Sequence, residues 1–215
     1  MTPQEMIAYQ EVWQTVEHFG LLLETDTQLP SLASIVAGVP VRGSWWGHAH
    51  GHAIYHVAAE LYEHPNVVVV KLIAGKLTYI HRRLWPALLS IGTAQEPWQL
   101  HDLSDIARTL LDRVSKEHVL RTDHLRTFEG FKAKSLSDAI RTLEKRLLVY
   151  TESMHTNTGA HAKVLETWPE WANRVGFSEK LPKPEQGKKV FEDILIGLNN
   201  EFAGQAQLPW ITYIR

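Results

Sequence analysis

The stretch that most constrains the fold lies in the second half of the chain. Ser104 precedes DIARTLLDRVSKEHV, in which Ile106, Leu110, Leu111 and Val114 recur at helical spacing. A serine at that place accepts the N–H groups that a first helical turn leaves unpaired. An irregular run follows, RTDHLRTFEGFKAK, with room for a short second helix. Ser135 then precedes LSDAIRTLEKRL, with Leu136, Ile140, Leu143 and Leu147 on one face. Residues 148–154 read as a strand, Asn157-Thr158-Gly159 as a turn, and residues 163–168 as the return strand. Helix, short helix, helix and two-stranded wing is the order of a winged helix-turn-helix. Residues 103–168 are expected to form one.

The first half is read by the same signals. Thr2-Pro3 opens QEMIAYQEVWQTVEHFGLLLE, a long helix with Ile7, Trp13, Val16, Phe19 and Leu23 in phase and Gly20 marking a bend or an end. Ser31 caps a short helix, SLASIVAG, that Gly38 closes. Residues 39–47 hold Pro40, Gly43 and Gly47 and are expected to be irregular. HAIYHVAAELYEH gives an amphipathic helix through Ile54, Val57, Ala58 and Leu61, stopped at Pro65-Asn66. Residues 67–73 and 77–82 flank Ala74-Gly75-Lys76 as a hairpin, residues 84–91 form a short helix, and residues 92–100, with Pro97, read as a linker. In the tail, residues 180–189 look like a linker and VFEDILIGLNNEF like a last helix. The expected class is α+β, mostly helical. Helix then hairpin recurs in both halves, which admits two tandem winged-helix-like halves. The expected domains are an N-terminal helical or winged-helix-like half over 1–95, a winged-helix domain over 101–175, and a C-terminal helix over 185–215 packing back on the body.

Composition narrows the function classes. Apolar residues are 44% of 215 and charged residues 21%, which suits a folded core. The chain has no cysteine, which excludes disulfides, thiolate nucleophiles and Cys-ligated zinc. No apolar run approaches the ~18 residues of a membrane span, and the N-terminus lacks a basic patch followed by an apolar stretch. The expectation is a cytoplasmic protein with no membrane partner. Net charge is −2, which does not favour a nonspecific nucleic-acid binder. Residues 113–146, however, carry nine Lys or Arg against five Asp or Glu, and that surplus falls on the candidate winged helix.

Four groups of residues could carry function. On the helix over 136–147 the exposed face is expected to show Ser137, Asp138, Arg141, Glu144 and Lys145, and the wing tip His155, Asn157, Thr158 and His161. Arg141 and Lys145, with Asn157 and His161, are the candidate DNA contacts, since such helices lie in a major groove. The second group is His48, His50, His52 and His56. The spacing of His52 and His56 on a helix can place two imidazoles on one zinc or iron, with His48 just upstream and Glu60 one turn on. No HExxH accompanies them, and a plain His-rich surface is the alternative. The third group, Arg42-Gly43-Ser44-Trp45-Trp46-Gly47, offers Trp45 and Trp46 as ligand-stacking rings or as core anchors, with anchoring expected for at least one. The fourth is Arg82 and Arg83 at a helix start, placed either to meet a phosphate or to pair with Glu60 or Glu63. No G-x-S-x-G, Walker A or G-x-G-x-x-G string is present.

Two stretches carry a resemblance: SWWGHAHGHAIYHV…VVVVKLIAGKLTYIHRRLWPALLSI and SLSDAIRTLEKRLLVYTESMHTNTGAHAKVLETWPEWA. Together they resemble a group of bacterial winged-helix proteins that is distantly similar to the tandem winged-helix, interstrand-crosslink-repair DNA glycosylases. The resemblance implies a DNA-associated protein of genome maintenance or transcription. It carries no catalytic residue across. The glycosylases hold a Gln pair, or Gln and Asp, one residue apart within an N-terminal winged helix. The matching spacing here, Gln205 and Gln207, falls beyond the last helix, and the enzymes' C-terminal β-barrel has no counterpart. The expected function is therefore a noncatalytic DNA-associated winged-helix protein with no cofactor. The alternatives are a metal- or small-ligand-dependent enzyme centred on residues 48–56, and a winged helix that binds a protein partner or a second copy of the chain.

Overall fold

A computed structural model describes residues 1–128, 132–155 and 161–211. The chain divides into two compact units, Met1–Ala87 with Gln186–Arg215, and Leu88–Glu185. The expected turn at Asn157-Thr158-Gly159 lies outside the described residues. No helix among those described is long and apolar enough to cross a membrane.

In the first unit α1 spans Pro3–Phe19. Thr2 Oγ1 accepts the Glu5 N–H at 3.2 Å, and the Glu5 carboxylate accepts the Thr2 N–H at 2.6 Å, a reciprocal cap. Gly20, at φ 81°, ends the helix in the left-handed region and donates its N–H to the Val16 carbonyl. The helix therefore does not continue through Leu23 as expected. Leu21–Leu23 is a strand, β1, buried throughout. Three successive leucines suit either period, and the backbone reversal at Gly20 decides between them. Next come α2 (Leu32–Ala37), capped by Ser31 and closed by Gly38, and α3 (Gly51–Tyr62). Strands β2 (Val67–Lys71) and β3 (Leu77–His81) pair antiparallel, and β1 joins the other edge of β3, giving the order β1-β3-β2. Val12, Val16, Leu22, Leu32, Ile54, Val57, Leu61 and Tyr79 form the core between helices and sheet.

Helix α4 (Trp85–Gly92) contains the division between the units, and α5 (Pro97–Leu100) is a single turn. The second unit continues with α6 (Asp105–Glu117), capped by Ser104, then β4 (Val119–Arg121), α7 (Thr122–Phe128) and α8 (Ala133–Lys145). Strands β5 (Tyr150–His155) and β6 (His161–Glu166) pair antiparallel, and β4 joins β6, giving the order β4-β6-β5. Its core is Ala107, Leu110, Val114, Leu120, Leu125, Leu136, Ile140, Leu143 and Leu165. Helix α8 begins before Ser135, which lies inside it; Lys132 is the cap residue and supplies no side-chain bond. Trp168 does not end a strand. It opens α9 (Trp168–Arg174), where Thr167 is the cap and Pro169 suits the first turn. Helix α10 (Pro184–Glu201) takes in residues 184–189, expected as linker.

One run of elements recurs, starting at α1 in the first unit and at α6 in the second: helix, strand, short helix, helix, then a hairpin, with 3-10 turns added in the first. In each, the strand after the first helix pairs with the last strand of the hairpin. Helix α3 thus holds in the first unit the place that α8 holds in the second.

Candidate functional site

Lys134, Ser137, Asp138, Arg141 and Lys145 are exposed on α8. Offsets of three, four, seven and eleven residues from Lys134 put them on one face. Arg141 Nη1 lies 3.8 Å from Asp138 Oδ1, a loose pair between two well-exposed side chains. Glu144 departs from expectation. It does not share this face; it is 5% exposed, and its carboxylate accepts the Thr151 hydroxyl at 2.6 Å and pairs with the Lys163 ammonium. Packing of α8 against the hairpin turns Glu144 inward, and the β5 and β6 side chains supply the partners a buried charge needs. The exposed face is left with three cations, Lys134, Arg141 and Lys145, and one carboxylate, Asp138.

On the hairpin, Arg174 of α9 clamps the buried Glu166 with bonds of 3.0 and 2.8 Å and lies 3.6 Å from Glu152. The hydrogen bonds to Glu166 raise the Arg174 pKa further, so the guanidinium stays charged. His161 opens β6 as the backbone partner of His155. Asn157 lies outside the described residues.

In the first unit Trp45 and Trp46 sit in a 3-10 turn, Trp45–Gly47, ahead of α3. Their rings stack at 4.3 Å and 20°. Trp45 is 6% exposed and part of the core, as expected for one of the pair, whereas Trp46 is 70% exposed. Burial pushes the Glu24 carboxyl up, and a hydrogen bond from Trp45 opposes that shift.

The histidines are not drawn together. His48 Nδ1 accepts the His50 N–H at 3.2 Å, His52 is exposed in the first turn of α3, and His56 Nδ1 lies 2.9 Å from Glu5 Oε1. Among the described residues no group of three or more His, Asp or Glu could hold a metal ion. Arg82 lies 5.2 Å over the Trp85 ring. Arg83 donates to the carbonyls of Glu17 and, at 2.8 Å, His18, satisfying the last turn of α1. A Cβ on Gly20 would come within 2.9 Å of that guanidinium, a second reason for glycine there. Gln205 and Gln207 are exposed on the irregular segment after α10.

Glu5 gives a pH test. The Thr2 backbone N–H first, and His56 second, hold its carboxyl below the ordinary 4.5. The unfolded chain therefore takes up the proton more readily than the folded one. The stabilisation is present above that value and fades as pH falls through the lower folded value. Glu5→Gln is expected to be less stable than the parent at pH 7, with the gap narrowing in acid. Urea unfolding across pH 3–7 reads this out, and parallel curves for the two proteins contradict it.

Compared with known families, residues 6–205 match the family described as AlkZ related. That span contains both stretches that carry the resemblance drawn from the sequence. No curated protein and no solved structure gives a significant match. With nearly its whole length matched, the chain belongs to the AlkZ-related family.

Proposed function

We propose that the protein is a cytoplasmic, noncatalytic DNA-associated protein built of two winged helices, in which α8 lies against DNA and β5–β6 is the wing. The observation that carries this reading is the α8 face: three cations and one carboxylate along one stripe, on the last helix before a hairpin. A helix in that position of a helix-turn-helix module enters the major groove. Its Lys and Arg side chains reach phosphates and base edges. The inward turn of Glu144 supports the reading, because it removes half the negative charge expected on that face. The repeated order of elements and strands supports a tandem arrangement. Gln205 and Gln207 follow α10 in sequence, and the Gln207 carbonyl accepts the Ala74 N–H of the β2–β3 connection at 3.0 Å, so no catalytic role is assigned to them.

Mobility-shift or filter-binding titrations on duplex and branched DNA at two salt concentrations test this. Binding is expected at low salt, weakening steeply as salt rises, because phosphate contacts release counterions. No binding at low salt would end the proposal.

A further inference from the structure

We infer that Trp46 and Tyr55 form a stacking platform for an unpaired DNA base. This rests on the DNA-associated reading and assigns the first unit its part in it. Trp46 is 70% exposed, an unusual place for an indole, which gains most from burial. One side of the ring is backed by Trp45, itself held in the core. Tyr55, 49% exposed on the next helix, lies 5.8 Å from the Trp46 ring and tilts 42° to it, extending the aromatic surface.

The platform is braced. The His48 N–H donates to the Trp45 carbonyl at 3.0 Å and the Gly51 N–H to the His48 carbonyl at 2.8 Å. A Cβ on Gly51 would stand 3.0 Å from the Trp45 oxygen and 3.2 Å from the Trp46 oxygen, so α3 starts pressed onto the turn. An aromatic face already fixed in place loses little freedom when a ligand stacks on it.

The surroundings suit an anionic ligand. Residues 27–59 contain no Asp or Glu, although the chain has 24. They do contain Arg42, His48, His50 and His52. Of two nearby carboxylates, Glu5 lies 2.9 Å from His56 and burial pushes the Glu24 carboxyl up, which disfavours its charge; Glu60 lies more than a turn beyond Tyr55 on α3. A base inside a paired duplex hides both faces in the stack, so an indole face can take only a base that is bulged, gapped or single-stranded. Topology places this platform at the start of α3, the counterpart of α8, so one unit offers charge and the other a π-surface at the same position of the fold.

The test uses the full chain and three DNAs: a paired duplex, the same duplex with three unpaired thymines, and that bulge with abasic residues in their place. Wild type is expected to prefer the thymine bulge over the paired duplex by about tenfold, the order of one base–aromatic stack. The abasic bulge loses that preference. Trp46→Ala is expected to abolish the preference while binding paired duplex as wild type does, and Trp46→Phe to keep part of it. A thermal melt matching wild type confirms that the effect is local. Should Trp46→Ala fail to fold, Trp46→Phe and the abasic substrate still decide the matter. Preference retained in Trp46→Ala, or never present in wild type, overturns the platform alone. Failure to bind any DNA at low salt overturns the DNA-associated reading as well.

Discussion

Trp168→Ala is expected to destabilise the second unit by about 3–5 kcal/mol, the range for deleting a fully buried indole. That is a large part of the ~5–15 kcal/mol holding a domain together. Trp168 is 1% exposed, and its Nε1–H donates to the Leu147 carbonyl at 2.7 Å. Leu147 sits at φ 54°, just past the end of α8, where a side-chain-bearing residue is strained and the last carbonyls need partners. The indole therefore fills core volume and also satisfies the exit of the helix proposed to meet DNA. Tyr150 and Trp171 pack at its edges, 6.0 and 5.7 Å away. Trp168→Phe keeps most of the volume and leaves the carbonyl unpaired, so it should lose about 1–3 kcal/mol. Gly92 supplies a partner experiment. A Cβ there would stand 2.5 Å from Trp168 Nε1, so Gly92→Ala must displace the ring. In the Trp168→Ala background the same change should cost far less, a coupling that a double-mutant cycle reads directly. Calorimetry on the four proteins measures it; additive losses would show that the two positions do not meet.

The features legible in the sequence were those fixed by neighbours a few residues away. Thr2, Ser31 and Ser104 cap helices through bonds that span three residues, and Gly38 closes one by its own left-handed backbone. The hairpin of β2 and β3 was legible because its β-branched residues flank a short connection. Strands β1 and β4 were not. Each has three residues, too few to show a period, and each exists only because a strand far along the chain pairs with it. Without them the common order of the two units was only partly visible.

The candidate site divides along the same line. Arg141 and Lys145 were readable as exposed from the phase of Leu136, Ile140 and Leu143. Glu144 was readable too, since it falls four residues beyond Ile140 and eight beyond Leu136, on the buried stripe. Its charge argued for solvent and outweighed its phase; Thr151 and Lys163, which settle the matter, come from the hairpin. Which of Trp45 and Trp46 enters the core was not legible from two adjacent identical residues. Nor was the partner of His56, because Glu5 lies 51 residues away. Arg83 reads as a phosphate ligand or ion-pair partner in sequence, yet its guanidinium donates to backbone carbonyls of α1.

Replacing Lys134, Arg141 and Lys145 together by alanine is expected to remove most duplex binding and to flatten its dependence on salt. Each cation that neutralises a phosphate contributes about 0.9 to the slope of log affinity against log salt, so losing three lowers the slope by up to about 3. All three are exposed, and substitutions at such sites usually change stability by less than about 0.5 kcal/mol. The melting curve should therefore hold while binding fails. Asp138→Ala should act in the opposite sense, strengthening binding by removing the carboxylate of the stripe and releasing Arg141 from its loose pair. Glu144→Gln provides the control that separates the face from the core. The amide can still accept from Thr151, but it leaves Lys163 without its counter-charge, so stability should fall while DNA affinity and salt slope stay near wild type. Titrations at several salt concentrations, run beside thermal melts, distinguish these outcomes. A triple variant that binds with an unchanged slope would move the DNA contact off α8, because cations touching phosphate cannot be removed without changing the number of counterions released.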